Sequence, residues 1–173
     1  MFDRLLARAS DILGVLAGAA LVLMMLHITA EVIARYVFAS PLHGTVEIVS
    51  TYYMVAVVFL PLALIERVNG HIIVELLSKH FPARAQELLI AVVALVSAAF
   101  FLAFAWQTWG DALKKYEIGE QALGTVAVTV WPTRFYIPVS CALLALVLVH
   151  KAVQLIRGDN SSLRAHIAEA TPD

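Results

Sequence analysis

Four long stretches with almost no charge dominate the sequence. Three are unbroken apolar runs, at 12–30, 48–65 and 88–106, and the fourth extends over 123–149 with Arg134 as its one charge. Each is close to the roughly 20 residues with which a helix crosses about 30 Å of hydrocarbon. Because backbone polar groups in lipid must be paired within a helix or a closed barrel, the pattern predicts an all-α membrane protein with four transmembrane helices.

The predicted helices cover about 11–34, 47–66, 86–109 and 132–157, within one membrane domain over 1–157. The fourth is expected to begin at Pro132, because proline is well tolerated in the first turn, and Arg134 is expected to snorkel to the headgroups. The polar residues 158–173 predict a flexible tail. The first run is longer than the roughly 7–15 apolar residues of a signal peptide, and is expected to remain as an anchor.

The distribution of Lys and Arg predicts that both termini are cytoplasmic. Eight basic residues fall on one side: Arg4, Arg8, Arg67, Lys79, Arg84, Lys151, Arg157 and Arg164. Four fall on the other: Arg35, Lys114, Lys115 and Arg134. In this topology every Trp and Tyr lies on the outer half of the membrane. That one-sidedness exceeds an ordinary aromatic belt and suggests an outer contact surface.

The loop between the second and third predicted helices contains a shorter amphipathic segment. Over 71–81 the apolar residues Ile72, Ile73, Leu76, Leu77 and Phe81 share one helical stripe. Such a helix is too short to span and suits the membrane surface. The sequence therefore predicts an interfacial helix at 71–81 on the cytoplasmic side.

Composition argues against several classes of function. The chain is 61% apolar and 14% charged, with a net charge of −1, so a nucleic-acid partner is not expected. Its single cysteine, Cys141, cannot form an intrachain disulfide or a thiolate metal site. His27 is expected near the outer end of the first helix and His150 at the inner end of the fourth, most of a bilayer apart and therefore too distant to ligate one haem iron. We expect no catalytic residue, cofactor or metal.

No Asp, Glu, Lys or Arg lies in the middle third of any predicted span. Carriers that couple a solute to ions usually need ionisable groups or broken helices at that depth. Glu31 is the nearest candidate, but it lies near the outer end of the first helix, four residues before Arg35. The spacing allows a local ion pair, a contact to a partner subunit or, least favoured, a coupling site.

Small residues at helical spacing provide the other candidate contacts. Gly14 and Gly18 form a Gly-x-x-x-Gly pair in the first helix, and Ala94 and Ala98 a similar pair in the third. Small side chains let helices approach closely in lipid. The pattern fits either packing within the chain or an interface with a partner subunit.

Several short motifs occur in a characteristic order. Arg35-Tyr36-Val37-Phe38 follows the first helix, Pro41-Leu42 and Glu47 open the second, Gly70-His71-Ile72 leads into Val74-Glu75-Leu76-Leu77, and Pro138 lies early in the fourth. On a four-helix chain this order resembles the small membrane subunit (DctQ type) of tripartite ATP-independent periplasmic, or TRAP, transporters. The chain departs from the family where it reads Gly44-Thr45-Val46-Glu47-Ile48, since many members have a tryptophan and two adjacent acidic residues there.

The resemblance implies a scaffold in the bacterial inner membrane. A large permease subunit would take up an organic-acid-type solute with sodium, and a periplasmic binding protein would deliver that solute. A stand-alone carrier and a haem-binding redox anchor are the alternatives. Membrane lipids are expected neighbours. The candidate contact residues for a partner subunit are Gly14, Gly18, Glu31, Arg35, Tyr36, Phe38, Glu47, His71, Ile72, Arg134 and Pro138.

Overall fold

Within the part of the chain that the structure describes, four helical regions are long and apolar enough to cross a membrane, the number that the sequence predicts. The structure is a computed structural model that describes residues 2–68, 83–122, 124 and 126–157. The candidate spans are Asp3–Val37, Thr45–Arg67, Leu88–Glu117 and Trp131–Arg157. The predicted interfacial helix at 71–81, with His71 and Ile72, and the predicted tail at 158–173 lie outside the described residues.

The first and third helices are longer than predicted. Helix α1 covers Phe2–Val37 rather than 11–34, and the third helical region covers Ala83–Glu117 rather than 86–109. Apolar runs mark only the part of a helix that lies in hydrocarbon, whereas charged residues of high helix propensity can extend it into water. At a rise of 1.5 Å per residue, the stretch from Trp109 to Glu117 extends the third helix by about 12 Å.

The second span is a broken helix. Its parts are α2 (Thr45–Ile48), a π-helical segment (Val49–Tyr53), α3 (Met54–Phe59) and α4 (Leu62–Arg67). Pro61 accounts for the break between α3 and α4, since it has no backbone N–H to donate to the preceding turn. The third helical region is α5 (Ala83–Glu117).

The connection between α5 and the fourth span contains a short hairpin. Strands β1 (Gln121–Ala122) and β2 (Val128–Thr129) pair antiparallel, with Gln121 opposite Thr129. The sequence predicts an apolar approach at the membrane interface over 123–131, and that prediction misses β2. The fourth span consists of α6 (Trp131–Arg134) and α7 (Tyr136–Arg157).

Helix α7 is the most central element of the bundle. It packs most extensively against α5, and also against α3 and α4, which in turn pack against α1. The interface with α5 is built from small side chains, including Ala94 and Ala98, which are buried in the core with Leu144 and Ala152. The Ala94–Ala98 pair therefore serves packing within the chain.

Helix α1 lies at the edge of the bundle. In its most apolar stretch 6% of residues are buried, against 44% for the fourth span. Its apolar contacts include Ala17, which packs with Ala56 and Leu60 of the second span, and Leu6, which joins the core that α5 and α7 form. Most of the apolar surface of α1 is therefore available to lipid or to another membrane protein.

Candidate interaction sites at the two ends of the bundle

One end of the bundle, called the outer end here, contains the Glu31–Arg35 pair. The guanidinium of Arg35 donates to Glu31 Oε1 from Nε at 2.8 Å and from Nη2 at 2.5 Å. Glu31 is buried and Arg35 exposed, so the arginine shields the carboxylate on one helix face. The local ion pair allowed by the spacing is therefore present, and Arg35 pairs with Glu31 rather than with Glu47. Tyr36 and Phe38, just beyond it, are 82% and 72% exposed.

His27 belongs to a small polar cluster at the same end. The Thr45 hydroxyl donates to the Leu42 carbonyl at 3.2 Å and lies 3.4 Å from His27 Nε2. Because a hydroxyl has a single hydrogen, His27 Nε2 is the donor when both bonds form. The ring also meets Tyr53 edge-on at 5.9 Å between centroids. This cluster ties α1 to the start of the second span.

The outer hairpin packs against the second span. The Tyr52 hydroxyl donates to the Thr129 carbonyl at 2.5 Å. The Glu47 side chain lies so close to Gly124 that a Cβ at this glycine would collide with the carboxylate. Gly44 has φ of 86°, a backbone conformation that favours glycine, and starts α2 beside Val126. Glu47 thus packs beneath the hairpin of its own chain.

A charged clasp closes the outer connection between α5 and α7. Glu120 accepts from Arg134 Nε at 3.0 Å and Nη2 at 3.1 Å, and Lys115 Nζ lies 3.1 Å from its Oε1. The hydrogen bond from Arg134 is the main reason that the pKa of Glu120 is lowered. Arg134 therefore bonds a carboxylate of its own chain, where the sequence predicted snorkelling to headgroups.

Aromatic side chains pack beside this clasp. Trp131 meets Tyr116 edge-on at 4.8 Å between ring centroids, and Phe135 lies against both Trp131 and Trp109. Edge-to-face packing joins the end of α5 to the start of the fourth span. Part of the aromatic excess at this end is thereby explained by packing within the chain.

The opposite end, called the inner end, contains ion pairs that sequence reasoning missed. Lys151 of α7 donates to Glu66 of α4 at 2.7 Å. Arg67 donates to Asp11 at 2.8 Å and to the Ala7 carbonyl at 2.6 Å. In the sequence Arg67 and Lys151 serve only as topology signals, because one sequence does not show which helices are neighbours. The sequence signal that could have found these ion pairs is the presence of opposite charges at matching depths on different helices.

His150 also bonds at the inner end. Its Nε2 lies 2.6 Å from the Asp3 carboxylate, and Gln154 Nε2 is 2.9 Å away. His27 bonds Thr45 at the outer end, so the structure separates the two histidines that a single haem would need. Within the described ranges no group of three or more His, Cys, Asp or Glu side chains is arranged to hold a metal ion.

The two glycines of the first helix lie in different surroundings. A Cβ at Gly14 would collide with the Leu64 side chain, so this glycine allows close contact between α1 and α4. A Cβ at Gly18 would meet nothing within 4 Å. Gly14 therefore serves packing within the chain, whereas Gly18 faces open space. Pro138 is buried near the start of α7.

The comparison with protein families agrees with this architecture. Residues 24–158 match the family described as tripartite ATP-independent periplasmic transporters, DctQ component. The chain belongs to the DctQ family. As a DctQ protein it is a small membrane subunit of a TRAP transporter. The match begins within α1, so Gly14, Gly18 and the α1 partners of the inner ion pairs lie outside it. No curated protein matches the chain in sequence.

Proposed function

We propose that this DctQ chain transports nothing itself and braces the large membrane subunit of its transporter. That subunit would perform sodium-coupled uptake of an organic-acid-type solute delivered by a periplasmic binding protein. The observation that carries the proposal is the distribution of charge along the spans. The segments 12–30, 48–65, 88–110 and 135–150 contain no Asp, Glu, Lys or Arg.

An uncharged membrane interior is unsuited to ion coupling. Charged groups in mid-bilayer are costly and, where present, usually mark ion or substrate paths. The break in the second span could in principle expose carbonyls to a solute, as the broken helices of carriers do. Here the break is flanked by Leu60 and Ala63, both buried against apolar neighbours. The broken helix therefore does not resemble a solute site.

The contacts at both ends suit a static brace. At the inner end, Arg67 and Lys151 tie three helical regions together, and at the outer end Glu120 and Tyr52 fix the hairpin connection. Polar contacts at both ends hold the angles between helices, since the apolar middle offers no directional bonds. Such a unit can hold its shape beside a subunit that moves.

We further propose that both termini are cytoplasmic, on the basis of the eight-to-four basic bias, and that 71–81 lies on the cytoplasmic interface. Single cysteines at Lys115 and Lys79, with Cys141 replaced, would distinguish the sides. A membrane-impermeant thiol reagent added from the periplasm is expected to label position 115 and spare position 79. The reverse labelling would contradict this topology.

Exposure distinguishes among the proposed partner contacts. Gly18, Tyr36 and Phe38 face outward and remain the best candidates to meet the large subunit, together with Arg35 on its exposed edge. His71 and Ile72 remain candidates from sequence alone. Gly14, Glu31, Glu47, Arg134 and Pro138 act mainly within the chain, so an effect of these residues on assembly would be indirect.

The proposal is tested by assembly in a host that lacks both membrane subunits. The chain is co-expressed with a tagged large subunit, and the complex is extracted in mild detergent. We expect the two to co-purify at a fixed ratio, and a Gly18→Leu/Tyr36→Ala variant to be retained less well than a Lys114→Ala control. Failure of the wild-type chain to co-purify would contradict the brace.

A further inference from the structure

An apolar groove runs along α7 between α1 and α5. Its volume is about 910 Å³, within the range of sites that hold small ligands. Its lining is almost entirely carbon, contributed by all three helices. The walls and floor include Ile12, Leu13, Leu102, Trp106, Ala142 and Leu146. Every lining residue belongs to one of the candidate membrane spans.

The groove has an inner and an outer end. At the inner end α1 contributes Ala9, one residue after Arg8, and at the outer end the groove reaches Trp109 and Pro138. Helix α1 runs beside α7 in the opposite direction, because Asp3 meets His150 whereas the later residues Ile12 and Leu13 share the groove with the earlier α7 residues 138–146. The groove therefore extends from near the inner ion pairs toward the aromatic cluster.

Two arginines border the inner end of the groove. Arg4 and Arg8 are four residues apart on α1 and lie on one face, and Arg8 is likewise one turn before the groove residue Ile12. Both arginines are exposed. The neighbouring carboxylates are already engaged, Asp3 with His150 and Asp11 with Arg67. Among the residues that the structure describes, neither arginine forms an ion pair.

We propose that the groove is a binding site for an anionic glycerophospholipid of the leaflet on the side of Arg4. One acyl chain lies in the groove along α7, and Arg4 and Arg8 bind the headgroup phosphate. A guanidinium presents N–H donors in a fork that matches phosphate oxygens. An apolar channel with two uncompensated positive charges at one end complements an amphiphile with an anionic head. This inference does not depend on the proposed function in transport.

The lipid also has a structural consequence for α1. This helix is held by the second span on one side and leaves the groove open on the other. A chain lodged between α1 and α5 would fill the space that their side chains leave. Loss of the lipid is therefore expected to loosen α1 before the α5–α7 pair.

The test measures lipid binding to the purified full chain by native mass spectrometry. The probes are dioleoyl phosphatidylglycerol and its zwitterionic counterpart dioleoyl phosphatidylcholine. We expect the anionic lipid to bind at least tenfold more tightly, and Arg4→Gln/Arg8→Gln to remove most of that preference. Lys114→Gln, which also removes one exposed positive charge, is the control and is expected to leave it unchanged. Equal affinity for both lipids, or a preference unaffected by the double variant, would overturn the proposal.

A second measurement locates the acyl chain. Phosphatidylglycerol with a diazirine near the middle of one acyl chain is photolysed with the complex of this chain and the large subunit. Labels are expected on the groove residues of α1, α5 and α7, and Ala142→Trp, which fills the groove, is expected to reduce them severalfold. Labels spread evenly over exposed α1 positions such as Leu21 would overturn the site. In a further experiment a photoreactive residue replaces Ile12. Cross-linking of that residue to the large subunit would also overturn the site, because a protein helix would then occupy the groove.

Discussion

The Lys151–Glu66 contact joins the second span to α7. Its atoms are 2.7 Å apart, and the two side chains are 23% and 11% exposed. Removing one partner of a buried pair costs about 3–5 kcal/mol, whereas an exposed pair contributes about 0–1 kcal/mol. Glu66 has a further interaction, and Lys151 is partly solvated, so we expect Lys151→Met to lower the free energy of unfolding by about 2 kcal/mol.

That loss is measurable as a change in melting temperature. For a chain of this size about 1 kcal/mol corresponds to about 2–4 °C, so Lys151→Met is expected to melt about 4–8 °C below the wild type. The assay is thermal unfolding in detergent, followed by the fluorescence of the three tryptophans. The control is Lys114→Met, because Lys114 lies 3.8 Å from Asp111 and both side chains are mostly exposed.

The comparison isolates the buried charge. Lys114→Met removes the same charge and is expected to change the melting temperature little. Glu66→Gln combined with Lys151→Met is expected to recover part of the loss, because the double change removes both charges of this contact. If Lys151→Met and Lys114→Met have the same melting temperature, the inner ion pair does not hold the second span to α7.

Two further predictions concern packing and pH. Gly14→Leu is expected to destabilise the chain by about 1–3 kcal/mol, because the new side chain would overpack against α4. Gly18→Leu enters open space and is expected to leave the stability of the isolated chain unchanged in the same melting assay. Equal effects would contradict the assigned surroundings. Glu120 has a lowered pKa in the folded chain, owing first to Arg134, so its clasp stabilises the fold above the ordinary carboxyl pKa and is lost as pH falls through the folded value. The wild type is therefore expected to melt at a higher temperature than Glu120→Gln at pH 7, and this difference is expected to disappear as pH is lowered toward 3. A difference that stays constant over that range would argue against the clasp.

The sequence predicted the number and approximate position of the spans because hydrocarbon thickness and backbone hydrogen bonding leave few alternatives. It also placed Glu31 and Arg35 as a local pair, since four-residue spacing on a helix determines their proximity. It could not predict the extension of α5 to Glu117, because the apolar run ends where the membrane ends rather than where the helix does. The spans and the Glu31–Arg35 pair could be predicted because they depend on local sequence pattern and not on tertiary neighbours.

The missed ion pairs and the different surroundings of the two glycines depend on contacts between helices. Glu66 and Lys151 are 85 residues apart, and only the packing of α4 against α7 brings them together. Gly14 and Gly18 look equivalent in sequence, yet one packs against Leu64 and the other faces outward. Periodicity determines which residues share a face of a helix, but the identity of the neighbouring helix is a property of the whole bundle.

The central claim is that this chain supports transport without carrying it out. Its most direct test is uptake into liposomes that hold a sodium gradient, with a cognate binding protein loaded with labelled solute outside. The chain and the large subunit are reconstituted separately and together. We predict uptake only when both are present. Uptake by this chain alone, or full uptake by the large subunit without it, would contradict the account.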